Sequence, residues 1–228
     1  MKQIFAIFLF VAANLMPALV KADEIGLTVQ KIESEWARIY YSIAQEQRDA
    51  AFKQLLIKLK TLQTQYPNQA ELIIRQAIIV ASNAVNIGPF SALQAIHQAR
   101  DLLLRAIELD PGASDGAAFV TLGSLYYQVP GWPLAYGDND KARAMLEKAL
   151  AINPNTIDAN YFYADLLVTL GEPEAAMIYF KRALAVPVRA SQVFADTQLQ
   201  QQVKSAIIAN SHDLATHRQI FSLAYGAK

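Results

Sequence analysis

The feature that most constrains this chain is a recurrence at a fixed offset. Ala142, Leu146 and Ala149 return as Ala176, Phe180 and Ala183, each 34 positions further on. Positions i, i+4 and i+7 share one stripe of an α-helix, and a small–large–small stripe lets a second helix come close while the large side chain fills the space between backbones. A period of this size belongs to stacked helical hairpins, each of which buries its apolar face only against its neighbours. Ahead of the first copy, Phe119, Leu122, Gly123 and Tyr126 form the stripe of a partner helix, with Gly123 placed to admit a close crossing. The expectation is an all-α chain, an α-solenoid of antiparallel helix pairs with C-terminal capping helices.

These residues resemble the tetratricopeptide repeat (TPR), whose first helix reads W-x2-L-G-x2-Y and whose second reads A-x3-F-x2-A-x4-P. Phe119, Leu122, Gly123 and Tyr126 match the first half, and Ala142, Leu146, Ala149 and Pro154 match the second. The next unit keeps Ala164 at the glycine position together with Ala176, Phe180 and Ala183. It departs from the pattern at Asn160, where Trp is usual, and at Pro187, one residue early. The resemblance implies a TPR-like superhelix used as an interaction surface.

The first 22 residues read as a secretory signal: Lys2 at the positive start, an apolar stretch from Ile4 to Met16, a break at Pro17 and the small-residue site Val20-Lys21-Ala22. Cleavage is expected after Ala22, with the periplasm as destination and no stable membrane span afterwards. No cysteine occurs, which excludes a lipidated N-terminal Cys and a disulfide framework. Residues 1–22 hold Lys2, Lys21 and no acid, so the remainder carries 18 Lys and Arg against 20 Asp and Glu. A balance this close to neutral, without a basic stripe, argues against nucleic acid as partner.

A single helical domain is expected over 23–228. Degenerate repeats fall at about 28–67 and 70–111, clear repeats at about 117–154 and 156–188, and a C-terminal cap at 190–228. In the first repeat, Val29, Ile32, Trp36, Ile39, Tyr40 and Ile43 share a helical face with Thr28 as candidate cap, and Phe52, Leu55, Leu56, Leu59 and Leu62 follow on the next helix. Residues 70–84 are apolar enough to be buried on most sides, and Ala99, Leu103 and Ala106 repeat the small–large–small stripe before Asp110-Pro111. After Pro187, two capping helices are expected, one over 190–209 and a shorter one over 211–225.

The loop from Val129 to Asp140 is long for a repeat that needs only a tight turn, and it holds Trp132 and Tyr136. Two readings stand: Trp132 folds back over the end of the preceding helix, or Trp132 and Tyr136 form a lid at one rim of the groove. Its tail, Asp138-Asn139-Asp140, is placed to cap the following helix.

No catalytic, metal-binding or cofactor-binding constellation is expected. His212 and His217 are five apart and so lie on different helical faces, no HExxH or Cys accompanies them, and no GxSxG, P-loop or GxGxxG occurs. The family pattern assigns the groove to first-helix positions off the stacking stripe. Tyr127, Tyr161, Asp165, Ser124 and Ile78 are the binding candidates, in a lining that also includes Ile74, Val120, Asp158 and Val168. This lining suits a protein or peptide with apolar anchors and a basic residue. The leading expectation is a periplasmic adaptor or scaffold without enzymatic activity, its partner unnamed. The chain also resembles, through its repeats and the Gly131-Trp132-Pro133 loop, the T-component proteins of TRAP transporters, which implies a ligand-binding accessory of solute uptake as the alternative.

Overall fold

A computed structural model describes residues 24–225, with side chains through residue 211. The expected leader, residues 1–22, lies outside the described residues.

Successive helices are α1 (24–42), α2 (Gln45–Gln65), α3 (Ala70–Asn83), α4 (Pro89–Leu109), α5 (Ala113–Gln128), α6 (Asn139–Ile152), α7 (Ile157–Thr169), α8 (Pro173–Ala185) and α9 (Val193–Tyr225). The chain is an all-α solenoid of antiparallel pairs. Helix α3 packs on α4, α5 on α6 and α7 on α8, and each second helix also touches the first helix of the next pair. First helices touch one another directly, α3 on α5 and α5 on α7, which places them along the inside of the stack. The side chains of α1 and α2 mesh through Val29, Ile32, Ile39, Phe52, Leu55 and Leu59, which meet Leu72 and Ile79 of α3.

The small–large–small stripe is the buried seam of three second helices. Ala99, Leu103 and Ala106 on α4, Ala142, Leu146 and Ala149 on α6, and Ala176, Phe180 and Ala183 on α8 are all 0% exposed. In α2 the same spacing is filled by Leu55, Leu59 and Leu62, so the first pair has the periodicity without the small residues. Gly123 on α5 faces α6: a Cβ there would lie 2.6 Å from Leu146 Cγ and 3.2 Å from the Ala142 carbonyl oxygen. Asn160, in the place of the usual Trp, is fully buried and donates from Nδ2 to the carbonyls of Pro154 and Thr156, both at 2.8 Å, so that it braces the α6–α7 turn.

Several expectations are corrected. The chain is already helical at residue 24, so Thr28 lies inside α1 and does not cap it. The C-terminal region is one helix over 193–225, not two. No Gly or Pro separates the two expected segments, and Asn210 donates to the Ala206 carbonyl within the helix at 2.8 Å, staying in register. Helix α5 opens with Ser114, Asp115 and Gly116 at positive φ (50°, 56° and 78°), and regular helix follows them.

Gly123→Ala is expected to destabilise the chain by about 1–2 kcal/mol, because overpacking against a fully buried leucine outweighs the roughly 1 kcal/mol of helix propensity gained. A double-mutant cycle with Leu146→Ala, followed by chemical denaturation, checks this: the cost of Gly123→Ala shrinks when Leu146 is truncated, and an additive cycle would refute the contact.

Candidate functional site

The inner face is built from first-helix side chains that the stacking seam does not use. Tyr127, near the end of α5, donates its hydroxyl to Asp165 Oδ2 on α7 at 2.6 Å, and Gln128 Nε2 donates to the Tyr127 oxygen at 3.1 Å. Tyr161 lies one helical turn before Asp165, with its ring against Phe162 (5.1 Å) and Phe180 (6.1 Å). Burial, with the Asp165 carboxylate adding to it, raises the Tyr127 phenol well above its ordinary range. The same causes, with Tyr40 of α1 contributing, push Tyr161 up to about 12. Tyr127, Tyr161 and Asp165 therefore form one cluster across two consecutive repeats.

The other two groove candidates do not join it. Ser124 is buried and donates to the Thr121 carbonyl of its own helix at 2.8 Å, while Ile78 packs into the α3–α4–α5 core. Ile74 and Val120 are likewise buried in the stack.

The loop residues separate from each other. Tyr136 turns inward: its hydroxyl donates to the Ile96 carbonyl of α4 at 2.7 Å, Arg100 lies over its ring at 4.9 Å, and the rings of His97 and Tyr126 meet it at 5.1 and 5.7 Å. Trp132 points away and is 90% exposed, so it does not fold back over the preceding helix. The loop is pinched shut by Gly137 N–H donating to the Pro130 carbonyl at 2.9 Å, and a side chain at Gly137 would collide with the Val129 carbonyl oxygen. Asp138 then caps α6 by accepting from Lys141 N–H at 3.0 Å.

Helix periodicity did not reveal that the two ends of the solenoid meet. The Trp36, Tyr40 and Tyr41 rings cluster on α1, and Tyr41 meets Phe194 of α9 edge-on at 6.2 Å. In the connector after α8, Arg189 grips Asp196 through Nε (3.1 Å) and Nη2 (2.7 Å), and its Nη2 also reaches Glu33 Oε1 of α1 at 3.5 Å. Gln192 Nε2 donates to the Gln30 carbonyl at 3.2 Å. The Asp196 carboxylate, and after it Glu33, hold the Arg189 guanidinium above its ordinary pKa. These partners stand 156 and 162 positions apart, beyond any local sequence signal. Among the described residues, no group of three or more His, Cys, Asp or Glu is close enough to hold a metal ion.

Stacked antiparallel helix pairs with an aromatic and acidic inner face define a repeat scaffold of the α-solenoid class. Residues 134–196 match the tetratricopeptide repeat family. Among solved structures, the chain is similar to TTC0263, a thermophilic TPR protein of Thermus thermophilus, at TM-score 0.50 and 18% identity over 72% of this chain and 91% of that one. It is also similar to MamA, at TM-score 0.43 and 15% identity over 78% of this chain and 99% of that one. No curated protein sequence matches the chain. The family match is thus confined to residues 134–196, and the likeness to the Thermus thermophilus protein is one of fold.

Two outcomes follow from this geometry. Tyr136→Phe is expected to cost about 1 kcal/mol through the lost hydrogen bond to Ile96, whereas Trp132→Ala leaves stability within about 0.5 kcal/mol; thermal melts compare the two directly. For Tyr161 the folded pKa lies above the ordinary 10.0, so its neutral form is favoured in the folded state. That contribution is complete below pH 10 and is lost as pH rises toward about 12. The melting temperature should fall across that window and fall less steeply in Tyr161→Phe; equal slopes would contradict the assignment.

Proposed function

We propose that this protein is a non-enzymatic periplasmic scaffold that holds a segment of a partner protein against the inner face of its repeats. The observation that carries the reading is the Tyr127–Asp165 hydrogen bond with Tyr161 alongside. Two successive repeats present aromatic surface around a carboxylate that has one oxygen occupied by Tyr127 and the other without a hydrogen-bond donor among the described residues. Such a surface takes apolar anchors flanked by a Lys, an Arg or a backbone N–H. The all-α solenoid class supports an interaction role in general, and the leader-like residues 1–22, with cleavage after Ala22, support export.

The absence of cysteine makes the test direct, because a single introduced thiol is a unique attachment point. Val168→Cys, on the stripe of Tyr161 and Asp165, and Lys181→Cys, exposed on α8, are each loaded with a photo-crosslinker and exposed to periplasmic extract. The expected result is one discrete protein adduct from position 168, none from 181, and about tenfold less adduct when Asp165→Lys is added. Equal labelling from both positions would refute the inner-face assignment. Mass spectrometry of the exported chain should find Asp23 as its first residue; an uncut chain retained in the cytoplasm would refute the location.

A further inference from the structure

A cavity of about 600 Å³ opens where the two ends of the solenoid meet. Arg75 of α3, Glu33 of α1, Arg189 and Ser191 of the connector, and the Glu71 and Asp115 carboxylates bound it. Tyr127, Tyr161 and Asp165 are not part of it, so it is separate from the inner-face cluster.

Arg75 is the anomaly. Its side chain is only 10% exposed, its Nε–H is buried without a partner among the described residues, and its acid neighbour, Glu33 Oε1, lies 3.6 Å from Nη1, outside hydrogen-bond range. A guanidinium carries five N–H donors in a planar fork, and burying it without acceptors is unfavourable. Arg189, on the same cavity, differs: Asp196 accepts from it at two nitrogens. Asp196 thus occupies the fork of Arg189, while Arg75 has the 3.6 Å ion pair with Glu33 and no hydrogen bond to another described residue at Nε. The natural complement of a guanidinium fork is a carboxylate, which accepts two parallel hydrogen bonds. The remaining acids, Glu71 and Asp115, repel a polyanion and favour a cationic group elsewhere on the same ligand.

We infer that this cavity binds a small zwitterion, an α-amino acid or a short peptide, with its carboxylate on Arg75 and its ammonium toward the acidic wall. The volume lies within the range of small-molecule sites and accommodates either source of that chemistry. Glu33 is the internal competitor for Arg75, and it also meets Arg189, so ligand entry trades an intramolecular contact at the junction of the two ends for an intermolecular one. The inference stands independently of the partner-protein reading.

The test uses the full chain labelled with ¹⁵N-arginine, with the Arg75 Nε–H resonance assigned by its loss in Arg75→Lys. Trialanine and free alanine are titrated separately into the millimolar range, with N-acetylated, C-amidated trialanine as the uncharged control. The expected result is a saturable shift of the Arg75 resonance by at least one zwitterion and none by the blocked tripeptide; whichever of the two moves it tells a peptide from an amino acid. By calorimetry, Arg75→Lys should weaken binding about tenfold, because an ammonium does not reproduce the planar fork. Glu33→Gln should strengthen it roughly threefold by removing the competing carboxylate, a gain that a merely damaged fold does not produce. An Arg75 resonance unmoved by both zwitterions in folded wild-type and Glu33→Gln chains would overturn the inference, as would equal binding of the blocked tripeptide. Neither outcome bears on crosslinking at position 168, so the two readings fail separately.

Discussion

Close approach of helix backbones is the condition on which the rest of this structure depends. Alanine on both sides of one large residue lets α4, α6 and α8 each bury a seam with no exposed surface, and Gly123 removes the one Cβ that would hold α5 away from Leu146. Because interiors are packed at near-crystalline density, a helix pair at this spacing has little freedom to rotate, and each pair then sets the position of the next. That propagation brings Tyr127 and Asp165, 38 residues apart, to hydrogen-bond distance on the inner face.

The same propagation closes the stack. After four pairs the connector and α9 reach back to α1, where a ring contact between Tyr41 and Phe194 and the Arg189–Asp196–Glu33 group join the ends. Closure has two chemical results. It sets Tyr41 against Phe194 and Tyr40 near Tyr161, and burial keeps the Tyr41 and Tyr161 phenols neutral well past their ordinary range. It also borders a polar cavity lined by Arg75, whose buried Nε–H has no hydrogen-bond acceptor among the described residues.

Departures from the family pattern are compensated locally. Asn160 replaces an aromatic ring with a polar bridge to two carbonyls of the preceding turn, which keeps the turn braced with much less buried apolar volume. The long loop before α6 is held by Tyr136 on α4 and by the Gly137 pinch, leaving Trp132 in solvent. Of two aromatic residues in one loop, only the one whose hydroxyl finds a backbone carbonyl turned inward. Sequence composition alone does not distinguish them, because both are large, apolar and flanked by turn formers.

Helical class, the repeat and its buried stripes were legible in the sequence by itself, since a period of 3.6 within helices and 34 between them is a local property that each segment carries. The pairing of Tyr127, Tyr161 and Asp165 on one face was legible from the repeat register, but the burial of Ser124 and Ile74 was not, because register places a side chain on a face without saying how closely the next helix covers it. The run through Asn210, with no breaker to stop it, shows the same limit for helix ends. Only the tertiary structure decided that Glu33 meets Arg189, that Gln30 meets Gln192, and that Arg75 Nε–H is buried without a hydrogen-bond partner among the described residues. Those contacts depend on the accumulated rotation and rise of every intervening pair, a sum that no single stretch of sequence contains.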